Sequence, residues 1–247
     1  MTSRRARRGA AILALCLGPL TASGCTAATG RVQKAASPAT KHVASAPVVM
    51  FLGDSYTVGE RGALPETTYA SAVARLLGWQ VVVAGKAGTG FVNGGVRRSA
   101  YIQLFESQLG WRPAPDLLVV SGGHNDHRYP PDQVTGAARI VLERARQRWP
   151  RTRLALIGPI WGNETPPPSI LAIRDGLRAL AQEFRAPFVD PVGERWITGS
   201  RTAGTGTAAR YIKRDGTHPT PEGHRYMASL LAADLRRLGL ARPSRSR

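Results

Sequence analysis

Val48-Val49-Met50-Phe51-Leu52 runs directly into Gly53-Asp54-Ser55-Tyr56. Five consecutive apolar residues followed by turn formers read as a strand buried on both faces that ends in a tight loop. The same grammar recurs along the chain. Further strands are predicted over residues 80–84, 116–121, 153–157 and 187–190, each a short run rich in Val, Leu and Ile. Between them lie helical patterns over 69–77 (closed by Gly78), 99–109, 131–148, 169–184 and 221–238. Strands that alternate with helices imply parallel βαβ units with right-handed crossovers. The expected fold is a three-layer α/β/α sandwich around a five-stranded parallel sheet, in the flavodoxin-like order 2-1-3-4-5. Two long loops, 158–168 and 197–214, interrupt the pattern, and such loops are often functional.

The residues ahead of Val48 read differently. Arg4, Arg5, Arg7 and Arg8 precede a short apolar stretch from Ala10 to Leu20, and Ala22-Ser23-Gly24-Cys25 follows. This is the layout of a secretory leader over 1–24, too short in its apolar part to span a bilayer. The four residues ending in Cys25 resemble a bacterial lipobox, with Ala22 where leucine is usual, so lipidation of Cys25 is expected. A twin-arginine route is suggested only by the paired arginines. Residues 25–46 are rich in Ala, Ser, Thr and Pro and read as a linker. The folded domain is then 47–240, with a basic tail over 241–247. The expected location is outside the cytoplasm, as an envelope lipoprotein or a secreted protein.

Composition narrows the chemistry. The only cysteines are Cys16 and Cys25, so the folded region has no disulfide, thiolate metal site or cysteine nucleophile. Net charge is +18, and loss of residues 1–24 removes four arginines and no acid, leaving +14. Such a balance favours anionic envelope polymers or lipid headgroups. Nucleic acid is not an expected partner, since no zinc-finger spacing, basic heptad helix or RNA-binding aromatic pattern is present.

The unusual residues cluster after the strands. They are Gly53-Asp54-Ser55; Gly85-Lys86-Ala87-Gly88-Thr89-Gly90; Gly122-Gly123-His124-Asn125-Asp126; and Asp215-Gly216-Thr217-His218-Pro219. In a parallel sheet these loops share the carboxyl edge, where ligands bind. Serine needs a base to become a nucleophile, and His218 can supply it. Asp215, three residues earlier, can hold the imidazole tautomer. Donors for a tetrahedral oxyanion would be the N–H of Ser55, an N–H of the glycine loop and the Asn125 amide.

With these blocks in order, the chain resembles the SGNH, or GDSL, hydrolase superfamily from about Val48 to Leu238. The first block matches Gly53-Asp54-Ser55, with Tyr56 where many members have leucine. Gly123-His124-Asn125-Asp126 matches the Gly-x-Asn-Asp block, and Asp215 to His218 the Asp-x-x-His block. The resemblance implies a serine esterase with Ser55 as nucleophile, His218 as base, Asp215 as its orienter and Asn125 as oxyanion donor. For the second block Gly88 is preferred, with Gly85 and Gly90 as alternatives. No Gly-x-Ser-x-Gly elbow surrounds Ser55, which separates the chain from the α/β-hydrolase fold.

Ester hydrolysis through an acyl-enzyme is therefore expected, on acetyl or short acyl groups of envelope glycans or on lipid esters. Neither a metal nor an organic cofactor is implied, and a monomer is expected. An acyltransferase using the same triad and a non-catalytic envelope-binding module are the alternatives. Asp54 and Asp126 are expected behind the site, holding Ser55 and Asn125. His124-x-x-His127 with Asp126 lacks a third strong metal ligand. His224 reads as a surface or helix residue, and Trp111, Trp161 and Trp196 as packing or rim residues.

Overall fold

The computed structural model describes residues 45–60 and 62–245. The predicted leader, Cys25 and nearly all of the predicted linker lie outside them. Five parallel strands form one sheet among the described residues: β1 (Val48–Gly53), β2 (Gln80–Gly85), β3 (Leu117–Ser121), β4 (Arg153–Ile157) and β5 (Phe188–Val189). Their order is β2-β1-β3-β4-β5, as expected. The register sets Val49 against both Val81 and Leu117, and Leu118 against Leu154.

Strand alternation sorts the core into two layers, because successive side chains leave opposite faces. Val49, Phe51, Leu117, Val119, Ala155 and Ile157 pack on one side, against α2 (Tyr69–Leu77) and α7 (Pro221–Arg237). Met50, Leu52, Leu118, Val120, Leu154 and Leu156 pack on the other, against α4 (Pro131–Arg148) and α5 (Pro168–Glu183). Each such side chain contributes roughly 1.5–3 kcal/mol on burial. Gly78, at φ 70°, closes α2 in the left-handed conformation.

The structure departs from the sequence reading in three places. The helix expected over 99–109 begins at Tyr101 and is α-helical only to Leu104. From Phe105 to Leu109 it widens to π geometry, with Phe105 and Leu109 both buried and the Phe105 ring edge-on to Trp149 at 5.2 Å. A four-residue helix, α1 (Ser55–Val58), follows β1 without a loop. Another, α6 (Ala208–Tyr211), interrupts the long loop after β5 and buries Ala208 in the core. With the π-extended helix from Tyr101 as α3, the helices are numbered in chain order. No described helix is long and apolar enough to cross a membrane.

Candidate active site

The carboxyl ends of β1, β2 and β3 bring the predicted loops together. Asp54 caps α1 by accepting the Tyr56 N–H at 3.0 Å, which sets Ser55 as the first helical residue. Ser55 is buried except for its opening to the cleft, with 4% of its surface exposed. Its Oγ lies 3.0 Å from His218 Nε2, and His218 Nδ1 lies 2.7 Å from an Asp215 oxygen. The three side chains thus form one continuous relay.

The Asp-x-x-His spacing works through a local turn. The other Asp215 oxygen accepts the N–H groups of Thr217 and His218, both at 2.9 Å. Gly216, at φ 71°, supplies the left-handed residue that this turn requires. Partial burial pushes the Asp215 carboxyl up, but those two N–H groups and the imidazole outweigh it. The group therefore sits below its ordinary value and stays anionic.

Two of the three glycine N–H groups of the loop have partners. The Gly85 N–H is taken by Gln108 Oε1 at 2.9 Å, and the Gly90 N–H by the Asn93 carbonyl at 2.8 Å. Gly88 lines a cleft of about 420 Å³ together with Ser55, Asn125, Thr217 and His218. The Asn125 amide donates one proton to the Thr89 carbonyl at 2.9 Å, which fixes its plane. Its second makes only a 3.4 Å contact with Asp54, so it remains available to a stronger acceptor.

The two supporting aspartates act differently from each other. Asp54 caps the Ser55 helix and touches Asn125. Burial, with Asp126 nearby, raises it to about 7. Asp126 was expected to hold the Asn125 side chain. Its carboxylate instead accepts the N–H groups of Phe91, Val92 and Asn93 at 2.8–3.0 Å and ties down the end of the glycine loop. It reaches across because Gly90 has no Cβ: one there would lie 2.2 Å from Asp126.

Three contributors escaped the sequence reading. Tyr56 donates its hydroxyl to the Thr217 carbonyl at 2.6 Å, clamping the serine helix to the histidine turn. Burial keeps that phenol well above its ordinary value, so it stays a donor. Glu60 presents one oxygen 3.3 Å from His218 Nδ1, while the other is ion-paired with Lys213. No motif spacing announces Glu60, because it follows α1 while Lys213 and His218 arrive from beyond β5.

The remaining candidates are placed as follows. His124 lies between Tyr56 and Trp161, with ring centroids 5.4 and 4.9 Å away, and burial lowers it to about 4. Its Nδ1 faces the Ile160 carbonyl at 3.0 Å and must carry the proton there. His127 Nδ1 faces the His124 carbonyl, so this pair is engaged in backbone contacts. His224 is not a surface residue: it is buried, accepts the Tyr69 N–H at 3.2 Å, and is lowered to about 4 by burial. Trp196 packs in the core, Trp161 lines a separate cavity of about 460 Å³, and Trp111 is 63% exposed. Among the described residues Glu60, Asp215 and His218 bring potential metal-ligand atoms within 4.8 Å of one another, though these groups already engage each other and Lys213.

A family model described as the GDSL-like lipase/acylhydrolase family matches residues 51–226. A GDSL lipase of Mycobacterium tuberculosis is 29% identical over 197 residues, covering 74% of this chain and 79% of that protein. An aryl esterase from M. smegmatis, solved with an inhibitor, superposes with a TM-score of 0.58 at 19% identity, covering 78% of this chain and all of that one. A carbohydrate acetylesterase from Sinorhizobium meliloti does so with a TM-score of 0.59 at 15% identity, over 78% and 99% of the two chains. The structural likenesses show a shared fold. The chain belongs to the GDSL-like lipase/acylhydrolase family and is a serine-esterase-type hydrolase.

Proposed function

We propose that this hydrolase removes short acyl groups, acetyl foremost, from envelope glycans through an acyl-enzyme on Ser55. The observation that carries the reading is the unbroken relay from Ser55 Oγ through His218 to Asp215. In this reading His218 Nε2 takes the Ser55 proton as Oγ attacks the ester carbonyl carbon. The carbonyl π pair moves to oxygen, where the N–H groups of Ser55 and Gly88 and the weakly engaged second amide proton of Asn125 receive it. Collapse breaks the bond to the alcohol oxygen, which leaves with the proton from His218. Water then attacks the acyl-enzyme with the same histidine as base, releasing the acid and restoring Ser55. Glu60 stands beside Asp215 as a second carboxylate facing Nδ1, and stabilises the imidazolium formed in each half-reaction.

The surroundings support a small acyl group on a polar alcohol. Ser55 lies between the cleft at Gly88 and a second of about 320 Å³ lined by Glu60, Ala63, Thr67, Lys213 and His224 among others. Both are small and carry charged or hydroxyl groups, which suit sugar hydroxyls better than a long chain. The cavity at Trp161 does not include Ser55 or His218 in its lining. Carbohydrate acetyl esters are also the substrate class in the name of one structural neighbour.

The site of action in this reading is the cell envelope. Residues 1–24 serve as an export leader and Cys25 carries a lipid, on the strength of Ala22-Ser23-Gly24-Cys25. Mass spectrometry of the mature N-terminus checks this, and a product lacking Cys25 excludes the anchor. For the chemistry, Ser55→Ala is expected to lower p-nitrophenyl acetate turnover by ~10⁴-fold or more with an unchanged melting temperature. Retained turnover would remove Ser55 from its role. A p-nitrophenyl ester series beside an acetylated glycan, with and without a sugar acceptor, reads out chain length and hydrolysis against transfer.

A further inference from the structure

The amino edge of the sheet, remote from Ser55, has its own pattern. Two clefts adjoin there and share Pro150. One, of about 410 Å³, is lined by Arg112, Arg148, Arg151 and Arg245 beside Trp111; the other, of about 530 Å³, by Arg146, Arg153 and Arg185. No aspartate or glutamate lines either cleft. Asp116 reaches Arg245 at 3.5 Å from outside the linings.

Much of this positive charge is held by neutral groups. Arg112 donates to the Gln108 carbonyl at 2.9 Å, Arg148 to the Gly110 carbonyl at 2.5 Å and Arg153 to the Gly239 carbonyl at 3.2 Å, while Arg146 donates to the Phe184 carbonyl. Carbonyls at helix ends orient a guanidinium and favour its charge without cancelling it. These contacts therefore fix arginines in place as a rigid cationic surface. At its rim stands Trp111, 63% exposed, with the Arg112 guanidinium 4.4 Å from the ring centroid. A large exposed aromatic next to cations suits the boundary between phosphate headgroups and acyl chains.

We propose that this edge docks on an anionic membrane surface, its arginines on lipid phosphates and Trp111 at the headgroup level. Two features favour a membrane over a soluble polyanion. Trp111, 63% exposed, offers apolar area at the level where acyl chains begin. The chain also enters the fold at this edge, where Val48 N–H bonds Asp116 at 2.8 Å, so the anchor proposed at Cys25 would tether the domain by this pole. Docking directs the Ser55 edge away from the bilayer, toward substrates beyond the lipid. The proposal is independent of the chemistry at Ser55 and rests in part on the anchor proposed at Cys25.

The test is co-sedimentation of the full chain carrying Cys25→Ala, so that no anchor contributes, with phosphatidylglycerol–phosphatidylcholine vesicles and with phosphatidylcholine alone. Binding is expected only to the anionic vesicles, weakening as salt rises. The pair Arg148→Glu and Arg185→Glu is expected to lower the partition constant by at least about 20-fold, from roughly fivefold for each arginine lost. The matched pair Arg128→Glu and Arg225→Glu, which changes net charge equally elsewhere, is expected to retain most binding. Thermal melts of each variant separate a docking loss from a folding loss, and Trp111→Ala, at a 63% exposed side chain, is expected to weaken binding to the anionic vesicles as well. Equal loss in the two pairs, equal binding to neutral vesicles, or capture by an anionic polysaccharide with no vesicle binding would each overturn the proposal.

Discussion

At the carboxyl edge of the sheet the charged groups face one another across a cleft; at the amino edge several arginines face backbone carbonyls instead. Asp215, Glu60, Lys213 and His218 are mutually engaged around one imidazole. The arginines around Pro150 are held by the Gln108, Gly110 and Phe184 carbonyls. The same architecture produces both. Crossover helices begin at the carboxyl edge and end at the amino edge, so their positive dipole ends gather near Ser55 and their negative ends near the arginines. One edge thereby suits developing negative charge, and the other retains fixed positive charge. The difference separates the edge that carries the relay from the edge proposed to dock on a membrane.

Changes at the carboxyl edge should alter rates, and the largest effect is expected when the imidazole loses both carboxylates. Asp215→Ala with Glu60→Gln should lower kcat by ~10⁴-fold, the scale seen when a triad histidine loses its orienting acid. Asp215→Ala alone should fall at least about tenfold less, because Glu60 already faces Nδ1. If Glu60→Gln costs the same factor in both backgrounds, the two carboxylates are independent and Glu60 is not a substitute orienter.

Asn125→Ala removes a preset oxyanion donor, and a loss of ~10²–10³ in kcat is expected with little change in KM. A change confined to KM would instead mean that Asn125 binds the ground state.

A smaller effect concerns stability. Asp54 is raised from 3.8 to about 7 by burial, so the folded state holds that proton more tightly than the unfolded state. Below its ordinary value both states are protonated and no penalty exists. As pH climbs from 3.8 the unfolded chain ionises while the folded carboxyl does not, so stability falls until the folded group also ionises at about 7. Asp54→Asn keeps the helix cap, and its stability relative to the parent should rise between about pH 4.5 and 7.5, by a few kcal/mol at most. Urea melts at the two pH values report this difference, in which the shared contributions of His124 and His224 cancel. An unchanged difference would mean that Asp54 titrates normally.

The least effect is expected from the other edge. Arg148→Glu with Arg185→Glu should leave kcat/KM on p-nitrophenyl acetate within about twofold, since a soluble ester needs no surface and exposed charges are screened over that distance. A large drop would show that the two edges are not separate.

The strand runs from Val48, Leu117 and Arg153, the helix over Pro131–Arg148 and the order of the sheet were legible because strand alternation, helical periodicity and crossover handedness are local or nearly local rules. The relay was legible for the same reason: Ser55 ends a strand, and Asp215 to His218 is one turn. The π geometry over Phe105–Leu109 was not, since it goes with burial beside Trp149, a distant residue. Nor was the reach of Asp126 to Phe91–Asn93, which depends on two loops meeting.

The sequence by itself determined that Ser55, His218 and Asp215 would meet at one edge of a parallel sheet, because each motif lies at the end of an element whose direction periodicity reveals. Only the tertiary structure decided that the Gly85 and Gly90 N–H groups are taken, that Glu60 joins Asp215 at the imidazole, and that Tyr56 clamps helix to turn. It also decided that arginines scattered from Arg112 to Arg245 share one face. Those are contacts between segments far apart in the chain, and no local propensity encodes where two loops touch.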